Sequence, residues 1–108
     1  MAWARIDDGM PWHPKIIGLA VESRWAYVVA ICYATRYLTN GAVPPGVLDN
    51  AAADDLIKAG LADRWHGGLL IHDWHDWNPT ATEVRERRQA AAERQRKWRR
   101  DHRGRFEP

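Results

Sequence analysis

Hydrophobic and polar positions change period along this 108-residue chain, and the changes mark its elements. Trp25, Val28, Val29, Cys32, Tyr33 and Tyr37 recur at three- and four-residue spacing. That spacing predicts a helix over about residues 22–38, continuous or restarted at Ser23, with these side chains on its buried face. Cys32 is read as a small core residue and Trp25 as a core anchor. The pattern then switches. Short apolar runs at residues 61–65 and 69–74 flank His66-Gly67-Gly68. Glycine enters left-handed turn conformations freely, so these runs predict a β-hairpin. Just before it, DDLIKAG reads as a helix end closed by Gly60 at the C′ position.

The remaining segments fit around that unit. Residues 1–6 alternate and are expected to add a third strand to the hairpin. Pro14 opens a short helix over residues 13–19, with Ile16, Ile17 and Leu19 inward and His13 held by a local contact at its start. Asn40-Gly41 closes the long helix. Pro44-Pro45-Gly46 is read as opening a brief helix over residues 45–51. A second helix follows over 52–59, with Leu56 and Ile57 inward. Asn78-Pro79 is a turn. Thr80-Ala81-Thr82-Glu83 matches a capping box, and the run after it lacks Gly and Pro through Arg100. Glu83 with Arg87 and Glu93 with Lys97 are expected i,i+4 pairs. Val84, Ala91 and Trp98 form a thin stripe repeating every seven residues, suited to docking on the globule or on a second copy. Residues 101–108 are expected to fray. A helix running into a hairpin is the arrangement of a winged helix-turn-helix. The expected fold is therefore α+β, mainly α: a winged helix-turn-helix core with a three-stranded wing sheet at residues 1–79, and a basic C-terminal helix and tail at 80–108.

Charge sharpens this division. The net formal charge of +2 conceals an uneven distribution. Residues 1–77 hold six Lys/Arg against nine Asp/Glu, a balance of −3, and residues 78–108 hold ten against five, a balance of +5. A mildly acidic globule with a basic tail points to a polyanionic partner for the tail. One cysteine forms no intramolecular disulfide and suits a reducing, cytoplasmic setting. The apolar run at residues 26–34 is too short to span a bilayer, which takes roughly 20 residues.

The order WARIDDG…HPK, a Trp-rich helix ending LTNGAVP, LIKAGLADRW, a glycine turn with IHDWHDWNPT, and an Arg-rich helix resembles a family of small winged-helix proteins. These are encoded by actinobacteria and their phages, with replication-initiation or helix-turn-helix descriptions. The hairpin and its D-W-x-x-W exit are also similar to the N-terminal domain of phage replisome organisers and DnaD-type primosomal proteins. The resemblance covers most of residues 2–100. Between Pro45 and Leu56 this chain is shorter than the family pattern. The resemblance implies a DNA-associated role in replication initiation or transcriptional control, with no cofactor.

Candidate chemistry concentrates in cations. Arg85, Arg88, Arg94, Arg96, Lys97, Arg99 and Arg100 on the terminal helix are candidate phosphate contacts, since Lys and Arg displace counterions from DNA. Arg64 in the wing, with Lys58 and Asn50 on the candidate recognition helix, are secondary candidates. Asp54 and Asp55 on that helix would repel phosphates, so it suits a structural role as well as a base-reading one. Trp65 is read as packing inward. His66, His72, Asp73, His75 and Asp76 are dense in possible ligands, but successive strand residues face opposite sides, and no metal is expected. No nucleophile, paired-carboxylate or phosphate-loop motif stands out, so no enzyme is expected. Two function classes follow. One is a DNA-binding protein gripping duplex through the tail, with a homodimer through that helix as a possible state. The other is an interaction module for a replication or host protein on the same scaffold.

Overall fold

The computed structural model describes residues 3–77 and 80–103. The chain divides into two compact units, Met1–Asn78 and Pro79–Pro108.

The first unit is α+β and mainly helical. A 3-10 turn, Met10–Trp12, leads into α1 (Pro14–Ile17) and α2 (Val21–Tyr37). Strand β1 (Ala42–Val43), helix α3 (Asn50–Lys58), strands β2 (Ala62–Trp65) and β3 (Gly68–Ile71), and a short α4 (Trp74–Trp77) follow. The sheet is antiparallel, in the order β1-β3-β2.

The hairpin forms where the apolar runs place it. Trp65 pairs with Gly68, leaving His66-Gly67 as a two-residue turn with φ of 48° and 78°. Two positive φ angles are the signature of a type I′ turn, whose twist matches the strands. Gly68 belongs to β3 and lies under β1: a Cβ there would run into the Val43 carbonyl oxygen. The second run stops at Ile71, and Trp74 instead starts α4 and is buried.

Gly60 closes α3 as expected. Its N–H donates to Ile57 and that of Leu61 donates to Leu56, both at 3.0 Å. This 5→2 and 6→1 pair is the Schellman closure. His13 caps α1, its Nδ1 accepting from the Lys15 N–H at 3.1 Å.

Several expectations are corrected. Residues 3–6 form no strand, and Met1 and Ala2 lie outside the described residues. The third strand is Ala42–Val43, paired through Ala42 with Leu70 and Val43 with Leu69. The reason is the reversal after α2: Leu38, Asn40 and Gly41 all take positive φ and return the chain against β3. No helix spans 45–49. Gly46 has φ 92° directly after Pro45, the signature of a turn that needs glycine at its third position. In place of two helices across 45–59 there is a turn and then α3. Ile17 is exposed, whereas Ile16 and Leu19 are buried.

The largest correction concerns the face of α2. Its buried residues are Ser23, Ala26, Ala30, Ile31 and Ala34, not the aromatic row. Trp25 is 66 % exposed, Tyr37 and Cys32 are also exposed, and Val28, Val29 and Tyr33 are half-buried. α2 packs against α3, and the small residues allow the two backbones to approach closely. The core is completed by Val43, Ala52, Leu56, Ala62, Leu69, Ile71 and Trp74.

In the second unit, α5 spans Ala81–Arg103. Glu83 N–H donates to Thr80 Oγ1 at 3.1 Å and Thr80 N–H donates to Glu83 Oε2 at 3.2 Å, forming the predicted capping box. Helix continues through Arg103, where fraying from Asp101 was expected, and residues 104–108 lie outside the described set, as does the Asn78-Pro79 turn.

Candidate functional site

Helical geometry determines which cations of α5 share a face. At 100° per residue, Arg85, Arg88, Arg96 and Arg99 fall within about an 80° arc, along about 21 Å of axis. All four are exposed, and among the described residues none takes part in an ion pair. Arg87, Arg94, Lys97 and Arg100 are also exposed, but spread around the rest of the helix. Glu83, Glu86, Glu93 and Asp101 fall on a different arc, about 80–160° from Arg85. The basic row thus has no carboxylate within it.

The expected Glu83–Arg87 and Glu93–Lys97 pairs do not form. Glu83 is occupied by the Thr80 amide, and Glu93 accepts from Gln89 Nε2 at 3.5 Å. Both acids are engaged locally, and neither pairs with Arg87 or Lys97.

The secondary candidates sit elsewhere and are not brought together. Asn50 is the first residue of α3, and Lys58 lies in its last turn; both are exposed. Arg64 on β2 is paired with Asp54 on α3. That partnership was invisible in the sequence, because it joins a helix to a strand beyond the Gly60 reversal. Asp55 is turned toward α2, accepting from the Ser23 hydroxyl at 2.7 Å. Each carboxylate expected to repel phosphate has a protein partner. Trp65 is exposed, contrary to its inward reading, and meets His66 edge-on at 4.3 Å between ring centres.

Within the His/Asp group, His72 makes the tertiary contacts. His72 Nδ1 lies 2.7 Å from the Gly60 carbonyl and Nε2 2.8 Å from Asp63 Oδ2. The hydrogen bond to Asp63 chiefly raises the imidazole pKa above its ordinary value. Lys15 Nζ donates to the same Gly60 carbonyl at 3.2 Å. These contacts tie α1, the α3 terminus and the hairpin together. No group of three or more possible metal ligands occurs among the described residues.

A cavity of about 250 Å³ opens beside Met10, Tyr27, Ile71, Asp73 and Trp74. Burial, and secondarily the Asp73 charge, raise the Tyr27 phenol above its ordinary pKa. Among the described residues, no helix is long and apolar enough to cross a membrane.

Comparison with known proteins gives no match: no family model, no curated protein and no solved structure is significantly similar to this chain.

Proposed function

We propose that this chain binds duplex DNA largely without regard to sequence, through the basic row of α5. The observation that carries the reading is the set Arg85, Arg88, Arg96 and Arg99: exposed, on one face, and free of ion pairs among the described residues. Guanidinium groups so placed exchange counterions for phosphates, a term that depends on charge and not on base order. The first unit serves as the scaffold. Its order α2-β1-α3-β2-β3, with strands arranged β1-β3-β2, supports a winged-helix reading in which the middle helix is reduced to a turn near Gly46. On that reading α3 is a poor base reader. Asp54 and Asp55 are committed to Arg64 and Ser23, and Asn50 and Lys58 stand at opposite ends of the helix. The resemblance to replication-initiation proteins of actinobacteria and their phages makes replication or transcriptional control the setting we favour.

The test is titration of the whole chain against random duplex DNA over a range of salt. Each phosphate neutralised contributes about 0.9 to the slope of log K against log salt. A slope of about 3 or more, unchanged between unrelated sequences, is expected. Absence of binding at low salt would overturn the reading and favour the protein-interaction role.

A further inference from the structure

The outward face of α2 carries a row that is symmetric about its middle. Glu22, Trp25, Val29, Tyr33 and Arg36 follow one another at spacings of three, four, four and three residues. At 3.6 residues per turn all five lie within about an 80° arc. Trp25 is 66 % exposed, Glu22 and Arg36 are exposed, and Val29 and Tyr33 are only half-buried. The ends of the row carry opposite charge, and among the described residues neither takes part in an ion pair. Arg24, on the other flank, is held back by donating to the Leu19 and Ile17 carbonyls at 3.0 and 2.9 Å.

We infer that this face docks on a second copy of itself, with the two α2 helices antiparallel and a two-fold axis at Val29. A two-fold interface requires a self-complementary surface, and this row meets that requirement. Val29 meets its own symmetry mate. Trp25 meets Tyr33 of the second copy, stacking one aromatic surface on another. Glu22 meets Arg36 of the second copy, and the pair occurs twice. A parallel arrangement would set Glu22 against Glu22 and Arg36 against Arg36. The charges therefore select the antiparallel one. Apolar residues on both faces of α2 fit this: the alanines and Ile31 are turned inward, and Trp25 is left for the partner, with Tyr33 offering the edge that its packing on the core and on Tyr37, 4.6 Å away between ring centres, leaves uncovered. The helix is about 25 Å long, so the contact falls below the roughly 800 Å² per partner of a standard interface. A weak dimer is expected, with a dissociation constant on the order of tens of micromolar.

Charge reversal tests this on the full chain by sedimentation. Glu22 and Arg36 are fourteen residues apart on one helix, about 21 Å, and have no means of pairing within one copy. Glu22→Arg and Arg36→Glu should each raise the dimer dissociation constant about tenfold, since each creates two like-charge contacts. The double variant Glu22→Arg/Arg36→Glu should dimerise like the parent. Mixing the two single variants should also restore dimers, because the mixed dimer regains both opposite-charge contacts. Both positions are exposed, and circular dichroism checks that each variant is folded. A parent chain that remains monomeric up to about millimolar concentration overturns the proposal. So does a dimer indifferent to every reversal, which would place the contact elsewhere, such as along Val84, Ala91 and Trp98. Failure of the double variant to recover overturns the antiparallel geometry.

Discussion

Ser23 and Asp55 lie 32 residues apart in the chain, and the serine hydroxyl donates to the aspartate carboxylate at 2.7 Å. Ser23 is the buried polar residue on α2, 2 % exposed, and the bond fastens α2 to α3. A hydrogen bond to a charged group contributes about 1.5–3 kcal/mol. Ser23→Ala is expected to lower unfolding free energy by about 1–2 kcal/mol, with the urea m-value unchanged. Asp55→Asn keeps an acceptor in place and should cost less. An Asp55→Asn variant as stable as the parent would argue against a charge-assisted bond.

The sheet depends on Gly68 because β1 leaves no room for a side chain there. An added Cβ would collide with the Val43 carbonyl and lie 3.0 Å from Pro44 Cα. Gly68→Ala should cost about 3–5 kcal/mol, a large part of a small domain's stability. Gly46 provides the contrast: nothing lies within 4 Å of its added Cβ, although its φ is 92°. Gly46→Ala should therefore cost only the backbone strain, about 1–2 kcal/mol. Thermal denaturation of the two variants side by side checks the ranking.

Two tryptophans should behave in opposite ways. Trp74 is 6 % exposed and covers Gly41, whose added Cβ would sit 3.0 Å from Trp74 Cβ. Trp74→Ala is expected to cost about 3–5 kcal/mol. Trp25→Ala, at concentrations where the chain is monomeric, should change stability by no more than about 0.5 kcal/mol. A large loss from Trp25→Ala in dilute solution would mean that its ring is covered within the monomer.

His72 gives the first unit a pH dependence whose sign follows from its contacts. A carbonyl at Nδ1 and a carboxylate at Nε2 both require a donor, so the doubly protonated ring satisfies both. Its folded pKa is raised above the ordinary value near 6.5. The stabilisation is thus complete below about pH 6.5 and is lost as pH rises through the folded-state pKa. The stability difference between the parent and His72→Gln should shrink on going from about pH 6 to about pH 8. Asp63→Asn should remove most of that dependence. A difference that grows with pH would reverse the assignment.

For DNA, the arrangement of arginines matters as well as their number. Replacing Arg85, Arg88, Arg96 and Arg99 with Ala should flatten the salt slope by up to about 3–4 units for every sequence tried. Replacing Arg87, Arg94, Lys97 and Arg100 removes the same charge from scattered positions and should flatten it less. Arg64→Ala should leave the slope nearly unchanged, since Arg64 is paired with Asp54. Equal effects from the two quadruple variants would indicate binding by net charge alone.

The features legible in the sequence are those set by groups a few residues apart. The Schellman closure at Gly60 and the Thr80–Glu83 capping box each close within a handful of residues, and Gly67-Gly68 marks the hairpin, although its turn falls on His66-Gly67 and Gly68 already belongs to β3. Their hydrogen bonds depend on local φ, ψ and side-chain reach, which residue type alone largely dictates. Tertiary structure decided what depends on distant surfaces. Residues 42–43, not 1–6, supply the third strand, because the left-handed reversal at residues 38–41 delivers that segment to the edge of β3. α2 buries its alanines and exposes Trp25, because close approach to α3 needs small side chains and a helix apolar on both faces does not say which one turns inward. Arg64 became a partner for Asp54 for the same reason: only the folded chain sets β2 beside α3, where their charges meet.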